Sequence, residues 1–411
     1  MNTQTDKLSD LPCRSASTSG SHVRRIIGFV ALAILLLARP AAAQRPSPLP
    51  PLPDNQITFA QITGARPLDL GATGGTVGFV WSGNAPSRTA LGSRYYPIDR
   101  DLDRSHTADW YRANHPDRLV YECDRTTPAI IYHYAWGAYS TIDISNPATR
   151  QYILSRFVAP ALASGKNVIA LDNVSLRNSA HACGVFRNGQ WVQLYSGKAV
   201  DPAYSASVLD YVSWLAGEIH ARGGLLALNA KVDPADTDGT RRLIALGDIW
   251  LDEAATSRGC KGRISGQLWQ TKFDLARWAA NTMGWIDLEK TCAVPDDLSS
   301  SEANWVVANF LLVRGAHSYL AAVKDGVPAA PIRYPAALNP PVGEALGAPY
   351  PIDGGWARDY TNGLVIVNPS TDKSLRFGLP AGQWTQGNGQ PAASSIALPP
   401  TSAAIVLGHR G

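Results

Sequence analysis

Short apolar runs alternate along this chain with longer stretches in which apolar side chains return every three or four positions. The runs are Thr76–Trp81, Leu119–Cys123, Val168–Leu171, Leu225–Leu228, Asp248–Leu251, Gly284–Leu288 and Ser318–Val323. Val168–Leu171 and Leu225–Leu228 are continuously apolar and the others nearly so, as in strands covered on both faces in a parallel sheet. Between them, Pro147–Ser164 carries Tyr152, Ile153, Phe157 and Leu162 at close to helical spacing. Ser145 or Asn146 suits its cap and Pro147 its first turn. Asp201–Ala221 repeats this signature and stops at Gly223-Gly224, and Ser301–Arg314 is a third such stretch. Strand, helix, strand at this spacing predicts parallel βα units. Seven runs are visible where a closed barrel needs eight, and the eighth is expected between Ala129 and Ile144, around Ser140–Ile144. An open doubly wound sheet competes, but no GxGxxG follows the first run, and acidic residues recur at strand ends. A (β/α)8 barrel over residues 57–330 is therefore predicted.

Beyond residue 326 the pattern changes. Residues 327–351 are rich in Pro and Ala and read as a connection. Gly363–Asn368, Ser374–Leu379 and Ser402–Leu407 then read as strands separated by turn residues. Residues 331–411 are thus expected to hold this connecting segment and a small all-β module. At the other end, Arg24 and Arg25 precede an apolar run, Ile26–Ala38, and then Pro40-Ala41-Ala42-Ala43-Gln44. This is the layout of a secretory signal over residues 1–43, with cleavage expected after Ala43. The run falls short of the ~20 residues a membrane span needs, so no stable span is expected after cleavage; an uncleaved anchor is the alternative. Residues 44–56 are Pro-rich and read as a linker or stalk. Of five Cys, Cys13 lies in the segment to be removed. The remaining four allow up to two disulfides in three connectivities, as suits an exported protein.

Composition narrows the partners. The formal charge is +4, and no Lys/Arg stripe marks a nucleic-acid surface. The small basic excess would suit an acidic polymer without demanding one. Twelve Trp and fifteen Tyr supply core bulk and also surfaces on which sugar rings stack. No GxSxG elbow, HExxH pair, phosphate loop or Cys/His zinc spacing occurs, and nothing calls for a cofactor or metal.

In a barrel of this kind, chemistry sits at the C-terminal ends of the strands. Val168–Leu171 runs directly into Asp172 and Asn173; turn formation by Asp-Asn is the plainer explanation of that pair, but a carboxylate at the mouth is the stronger reading. Asp248–Leu251 ends in Asp252 and Glu253. Neighbours on a strand point to opposite faces, so one faces the lumen and one the wall; Glu253 is preferred. Asp287 and Glu289 share a face by the two-residue period, as substrate ligands or as salt-bridge partners of Lys290 or Lys231. Two carboxyl groups across a cleft are what glycoside hydrolysis requires, one to protonate the leaving oxygen and one to attack or activate water. Asp172 and Glu253 are the catalytic candidates. Trp81, Asp124, Asp143, Asn173, Asn229, Lys231, Asp252, Asp287 and Glu289 are candidates for substrate contact, with His133, Trp136, Trp269 and Trp285 behind them.

Three segments in order, HPDRLVYECDRTTPA (His115–Ala129), IDISNPATRQYI (Ile142–Ile153) and VIALDNVS (Val168–Ser175), together resemble the glycoside-hydrolase-like TIM barrels related to the endo-α-1,4-polygalactosaminidase group. Those barrels share a D-I-x-N-P-x-x-R stretch leading to an L-D-N-V strand end. ARDYTNGLVIVNPS (Ala357–Ser370) is similar to their C-terminal β-module, so the resemblance spans about residues 75–410. It implies a glycoside hydrolase acting on an extracellular or periplasmic bacterial polysaccharide, with Asp172 at the catalytic strand-end acid. Glu253 matches a later acid less securely, because the Asp252-Glu253 doublet leaves the alignment open. The competing expectation is a non-catalytic polysaccharide-binding protein on a degenerate barrel, linked to polysaccharide export.

Overall fold

The computed structural model describes residues 49–410, apart from 63–67, 132, 135–136, 327–331 and 388. The signal segment and Trp136 lie outside the described residues, as does the side chain of His133. Eight parallel strands close into a barrel of the (β/α)8 TIM type: β1 (Thr58–Gln61), β2 (Thr76–Val80), β3 (Leu91–Pro97), β4 (Val168–Val174), β5 (Leu225–Ala230), β6 (Ile249–Gly259), β7 (Gly284–Thr291) and β8 (Ser318–Lys324), with β8 pairing back onto β1. Six of the seven apolar runs are strands of this barrel.

Two corrections concern the rest. The eighth strand is not at Ser140–Ile144, and Leu119–Cys123 is not in the barrel; β1 and β3 take those places. β1 has only four residues, and β3 (LGSRYYP) is interrupted by Gly92, Ser93 and Arg94 before Pro97 ends it. Neither presents an apolar run, yet β3 pairs with β4 over five positions, from Ser93 with Val168 to Pro97 with Asp172. Leu119–Cys123 belongs to the long excursion between β3 and β4. There Val120 N–H donates to Thr141 O at 3.0 Å and Tyr121 N–H to Gly184 O at 2.8 Å. Leu119, Val120 and Tyr121 are buried in the outer core, which is why they read as strand.

The helices form where caps and periodicity place them. α1 (Ala108–Asn114) is capped by Thr107, and α2 (Pro147–Ile153) by Asn146, whose side chain accepts from Ala148 N–H. α2 continues through one wide turn, Leu154–Val158, into α3 (Ala159–Ala163). α4 (Pro202–His220) starts on the Asp201 carboxylate, which accepts from Ala203 and Tyr204 N–H, and buries Val208, Tyr211, Val212, Leu215 and Ile219 on the barrel wall. α5 (Thr237–Ile244), α6 (Gly266–Thr282) and α7 (Ser300–Val313) follow β5, β6 and β7; Ser299 and Glu302 cap α7 reciprocally. The turn segment 81–90 joins β2 to β3 without a helix.

Two apolar layers result. Phe79, Val168, Ala170, Leu225, Ala227, Ile249, Leu251, Ile286, Leu288, Tyr319 and Ala321 fill the lumen, while a larger core lies between strands and helices. At roughly 1.5–3 kcal/mol for each fully buried large apolar side chain, the lumen layer adds to the strand ladder and outer core and makes the barrel interior a packed core. Residues 49–56, read as linker, are not free of the barrel. Leu49 is buried in the lumen cluster, and Arg314 donates to the Asp54 carbonyl.

The C-terminal sheet is antiparallel. β9 (Tyr350–Ile352), β10 (Gly355–Tyr360), β11 (Gly363–Asn368), β13 (Gly382–Gln386) and β15 (Ser402–Arg410) run in the order β9-β10-β11-β15-β13; β12 (Leu375–Gly378) pairs with β14 (Ser395–Leu398). It docks on α7 and its end, where Tyr360 OH donates to Leu311 O at 2.6 Å and Arg358 to Arg314 O at 2.8 Å. Disulfides join Cys123 to Cys183 and Cys260 to Cys292, settling the connectivity. Among the described residues no helix is long and apolar enough to cross a membrane.

Candidate active site

Parity along the strands builds the site. Towards the barrel mouth the inward positions read Val168, Ala170, Asp172 on β4; Leu225, Ala227, Asn229 on β5; Ile249, Leu251, Glu253 on β6; and Ile286, Leu288, Lys290 on β7. Two apolar layers therefore lie beneath one polar layer, and the period of two puts all four polar groups on the lumen side. They line or floor a cleft of about 800 Å³, into which Asp172, Asn173, Lys231, Glu253, Arg258 and Lys290 project.

One amide joins the two acids. Asn229 Nδ2 donates to Asp172 Oδ1 at 2.7 Å and to Glu253 Oε2 at 2.6 Å. A single nitrogen holding both oxygens keeps them no further apart than its two bonds laid end to end. That limit applies to the two facing oxygens, and a contact this close suits the roughly 5–5.5 Å carboxyl separation of retaining glycosidases better than the roughly 6.5–9.5 Å of inverting ones. On its other side Asp172 Oδ2 accepts from Tyr95 OH at 2.9 Å, and Tyr95 accepts from Arg100 at 3.3 Å. Burial and the Asp172 charge both raise Tyr95, so its hydroxyl stays a donor. Glu253 Oε1 meets Lys290 Nζ at 2.8 Å.

The two carboxyls are pushed in opposite directions. Burial raises Asp172, and the charge of Glu253 adds to it, against the hydrogen bonds from Asn173 N–H, Tyr95 and Asn229. Burial also acts upward on Glu253. Hydrogen bonds from Lys290 and Asn229, with the charges of Lys290 and Lys231, outweigh it and hold Glu253 below its ordinary value. One acid whose proton affinity is raised beside one anchored carboxylate whose proton affinity is lowered is the division of labour acid/base chemistry needs.

Other candidates lie elsewhere. Asp252 faces the helix layer, 2% exposed, with Lys272 Nζ at 2.5 Å from its Oδ1. Asp287 and Glu289 share that outward parity and are also buried. Among the described residues neither oxygen of Asp287 has a partner in regular hydrogen-bond geometry; burial, then the nearby Glu289 and Asp252, drive it well above the carboxylate range. Glu289 accepts from Thr256, and burial brings it to about 7. None of these three lines the cleft, and Lys290 pairs with Glu253, not with them. Lys272→Met should expose this arrangement by leaving Asp252 buried without its partner. A loss of about 3–5 kcal/mol is expected near pH 8. Since the variant's Asp252 titrates above its unfolded value, the deficit should shrink as pH falls towards 5. Urea unfolding at both pH values checks this, and equal losses would contradict it.

Trp81 is 6% exposed and packs in the lumen beside Phe79, so it is core and offers no free ring to a sugar. Trp269 and Trp285 are buried against the helices, Trp269 stacked on Phe273 and Trp285 on Phe310. Asp124 sits on an exposed turn and accepts from the Thr127 hydroxyl and from Thr126 and Thr127 N–H; the hydroxyl first, then these two N–H groups, hold its carboxyl below the usual range. Asp143 is 1% exposed, accepts from Ser145 and pairs with Arg187 at 3.0 Å. Both lie on the β3–β4 excursion, away from the cleft-lining residues.

Sequence reading missed Tyr95, Asp99 and Arg100, all carried by β3 or the turn after it. Asp99 is 6% exposed; burial raises it to about 6 despite Arg100, with Asp172 adding to the rise. A clue existed in the alternation Ser93, Tyr95 leading to Pro97, but Arg94 and Gly92 obscured it. Among the described residues no group of three or more His, Cys, Asp or Glu side chains is placed to hold a metal ion.

No protein-family model matches this sequence. No curated protein matches it either. Solved structures align with the chain at low identity. An isomaltulose synthase from Erwinia rhapontici NX5 aligns at TM-score 0.48 and 10% identity, over 87% of this chain and 99% of that one. An α-amylase from Malbranchea cinnamomea aligns at TM-score 0.41 and 12% identity, over 86% and 96%. A cycloalternan-degrading enzyme from Trueperella pyogenes aligns at TM-score 0.39 and 11% identity, over 79% of this chain, which spans about half of that enzyme's length (50%).

Proposed function

We propose that the chain is a retaining glycoside hydrolase of an extracellular or periplasmic bacterial polysaccharide, with Glu253 as nucleophile and Asp172 as acid/base. The observation that carries this is the Asn229 amide bridging two carboxyl groups whose proton affinities are shifted apart within one cleft. Asp172 gives its proton to the glycosidic oxygen as the Glu253 carboxylate attacks the anomeric carbon, and the leaving sugar departs as an alcohol. Asp172, now ionised, takes a proton from water as its oxygen attacks the same carbon, releasing Glu253 and the second sugar. Asn229 and Lys290 orient the nucleophile, while Tyr95, backed by Arg100, orients the acid. Export is supported by the signal-type N-terminus and by two disulfides, which persist in oxidising compartments.

The test is to incubate the purified protein with a panel of bacterial polysaccharides, counting new reducing ends and following the first-formed anomer by proton NMR. New ends of the substrate's own anomeric configuration are expected. Inverted product would remove Glu253 as nucleophile. Binding without new ends would leave a non-catalytic polysaccharide-binding barrel as the better account.

A further inference from the structure

The strand carrying Glu253 does not end at the mouth. Its ladder with β7 breaks after Glu253 and resumes at Arg258, opposite Lys290. The chain then turns through Gly259–Gly262 and returns, with Arg258 N–H donating to Gly262 O at 2.9 Å and Ile264 N–H to Thr256 O at 2.7 Å. Gly259 holds φ at 60° with its α-carbon against Asp325, where any side chain would collide, and Gly262 holds φ at 94°. Cys260 is bonded to Cys292, just past the end of β7. This tethered turn carries Arg258 and Lys261, both exposed and both lining the cleft that holds Asp172 and Glu253, and among the described residues neither has a side-chain hydrogen bond or ion pair. Lys231 and Lys290 line the same cleft. Its acids are already engaged: Glu253 and Asp325 lie beside Lys290, and burial favours the protonated form of Asp172.

We infer that this cleft takes an anionic polysaccharide, with Arg258 and Lys261 binding the carboxylate or sulfate groups of a sugar next to the scissile bond. The inference rests on the hydrolase reading of the same cleft and adds the charge class of its substrate. A fixed turn matters because two cations on a tethered backbone lose little backbone freedom on binding, whereas cations on a mobile loop would lose more. Guanidinium and ammonium groups at a cleft rim attract anions and repel cations, an effect that salt weakens. A polymer of free galactosamine, which the polygalactosaminidase resemblance would suggest, carries ammonium groups and meets like charge here.

The test uses polymers of one backbone: dextran, carboxymethyl-dextran, dextran sulfate and the cationic diethylaminoethyl-dextran. Affinity electrophoresis of the full chain at low and high salt gives their dissociation constants. Carboxymethyl-dextran or dextran sulfate should bind at least tenfold more tightly than dextran, with salt weakening the binding, and the two together tell carboxylate from sulfate preference. The double variant Arg258→Gln/Lys261→Gln should lose at least tenfold in that affinity. A control of equal charge change on the C-terminal sheet, Lys373→Gln/Arg376→Gln, should lose less than threefold. Equal losses in the two double variants, tighter binding of dextran or its cationic form, or no binding of either anionic polymer would each overturn the inference. Reducing-end yield on polygalacturonate beside a neutral galactan separates this from the hydrolase reading. Acidic-polymer binding without cleavage of any polymer counts against hydrolysis alone; cleavage of the neutral polymer only, with the Arg258/Lys261 variant as active as wild type, counts against the charge class alone.

Discussion

Asp172→Asn should lower kcat on an unactivated polysaccharide by a factor of about 10³, within the ~10²–10⁴ span of general acid catalysis, and leave the fold intact. The amide keeps the shape of the carboxyl, and its oxygen can still accept from Asn229. What it lacks is a proton to give the leaving oxygen. A substrate whose leaving group needs no protonation, such as a dinitrophenyl glycoside, should recover most of the first step. The pH profile carries a second signature. Wild type requires Asp172 protonated, and its folded value is raised, so activity should fall as pH rises through that value. The variant should lose this alkaline limb. The raised value also means the folded state holds this proton more tightly than the unfolded chain does. Stability is therefore lost as pH rises from the unfolded value through the folded one, and the variant should melt no lower than wild type at pH 7. Wild-type turnover by Asp172→Asn would remove the residue from the mechanism; loss of activity with an earlier melting transition would make its role structural.

Glu253→Gln should cost more, about 10⁴ or beyond in kcat, because no covalent intermediate can form without the carboxylate. Melting should change little, since the Glu253 side chain is 39% exposed and the Lys290 left behind is 25% exposed and still 4.0 Å from Asp325. Glu253 is held below its ordinary value and must be ionised to attack, so it sets the acid limb: wild-type activity should fall as pH drops through that lowered value. Glu253→Ala with added azide should regain turnover and release a glycosyl azide of inverted configuration. The smaller side chain leaves room for the anion beside Asn229 and Lys290. Retained activity in Glu253→Gln combined with loss in Asp252→Asn would transfer the role to the buried neighbour, against the 2% exposure of Asp252 and its contact with Lys272.

Several parts of this arrangement were legible in the linear pattern, for a physical reason. A strand buried on both faces is apolar along most of its length, so β4 to β8 stood out as runs, and the polar residues that follow on the lumen side are where the barrel meets water. That logic places Asp172, Asn229 and the Asp252-Glu253 doublet at strand ends. It failed where burial was one-sided or the strand short. β1 has four residues and β3 exposes Arg94, so their partners in the site, Tyr95 above all, stayed hidden. Leu119–Cys123 misled because a buried loop in the outer core has the same composition as a strand.

By itself the sequence determined the alternation of strand and helix, a cap at Ser145 or Asn146 with another at Asp201, and the all-β character of the last 60 or so residues. Each of these follows from contacts between near neighbours, or from the simple demand that a segment be buried. Parity at the mouth, the disulfide pairing, and the convergence of Tyr95, Asp172, Asn229, Glu253 and Lys290 were decided only by closure of the barrel. Which side of a strand faces inward depends on register with strands far away in the chain. Until β3 and β4, β5 and β6, and β6 and β7 are paired, Asp252 and Glu253 are equivalent neighbours. Once paired, one is a buried carboxyl beside Lys272 and the other an anchored carboxylate in the cleft.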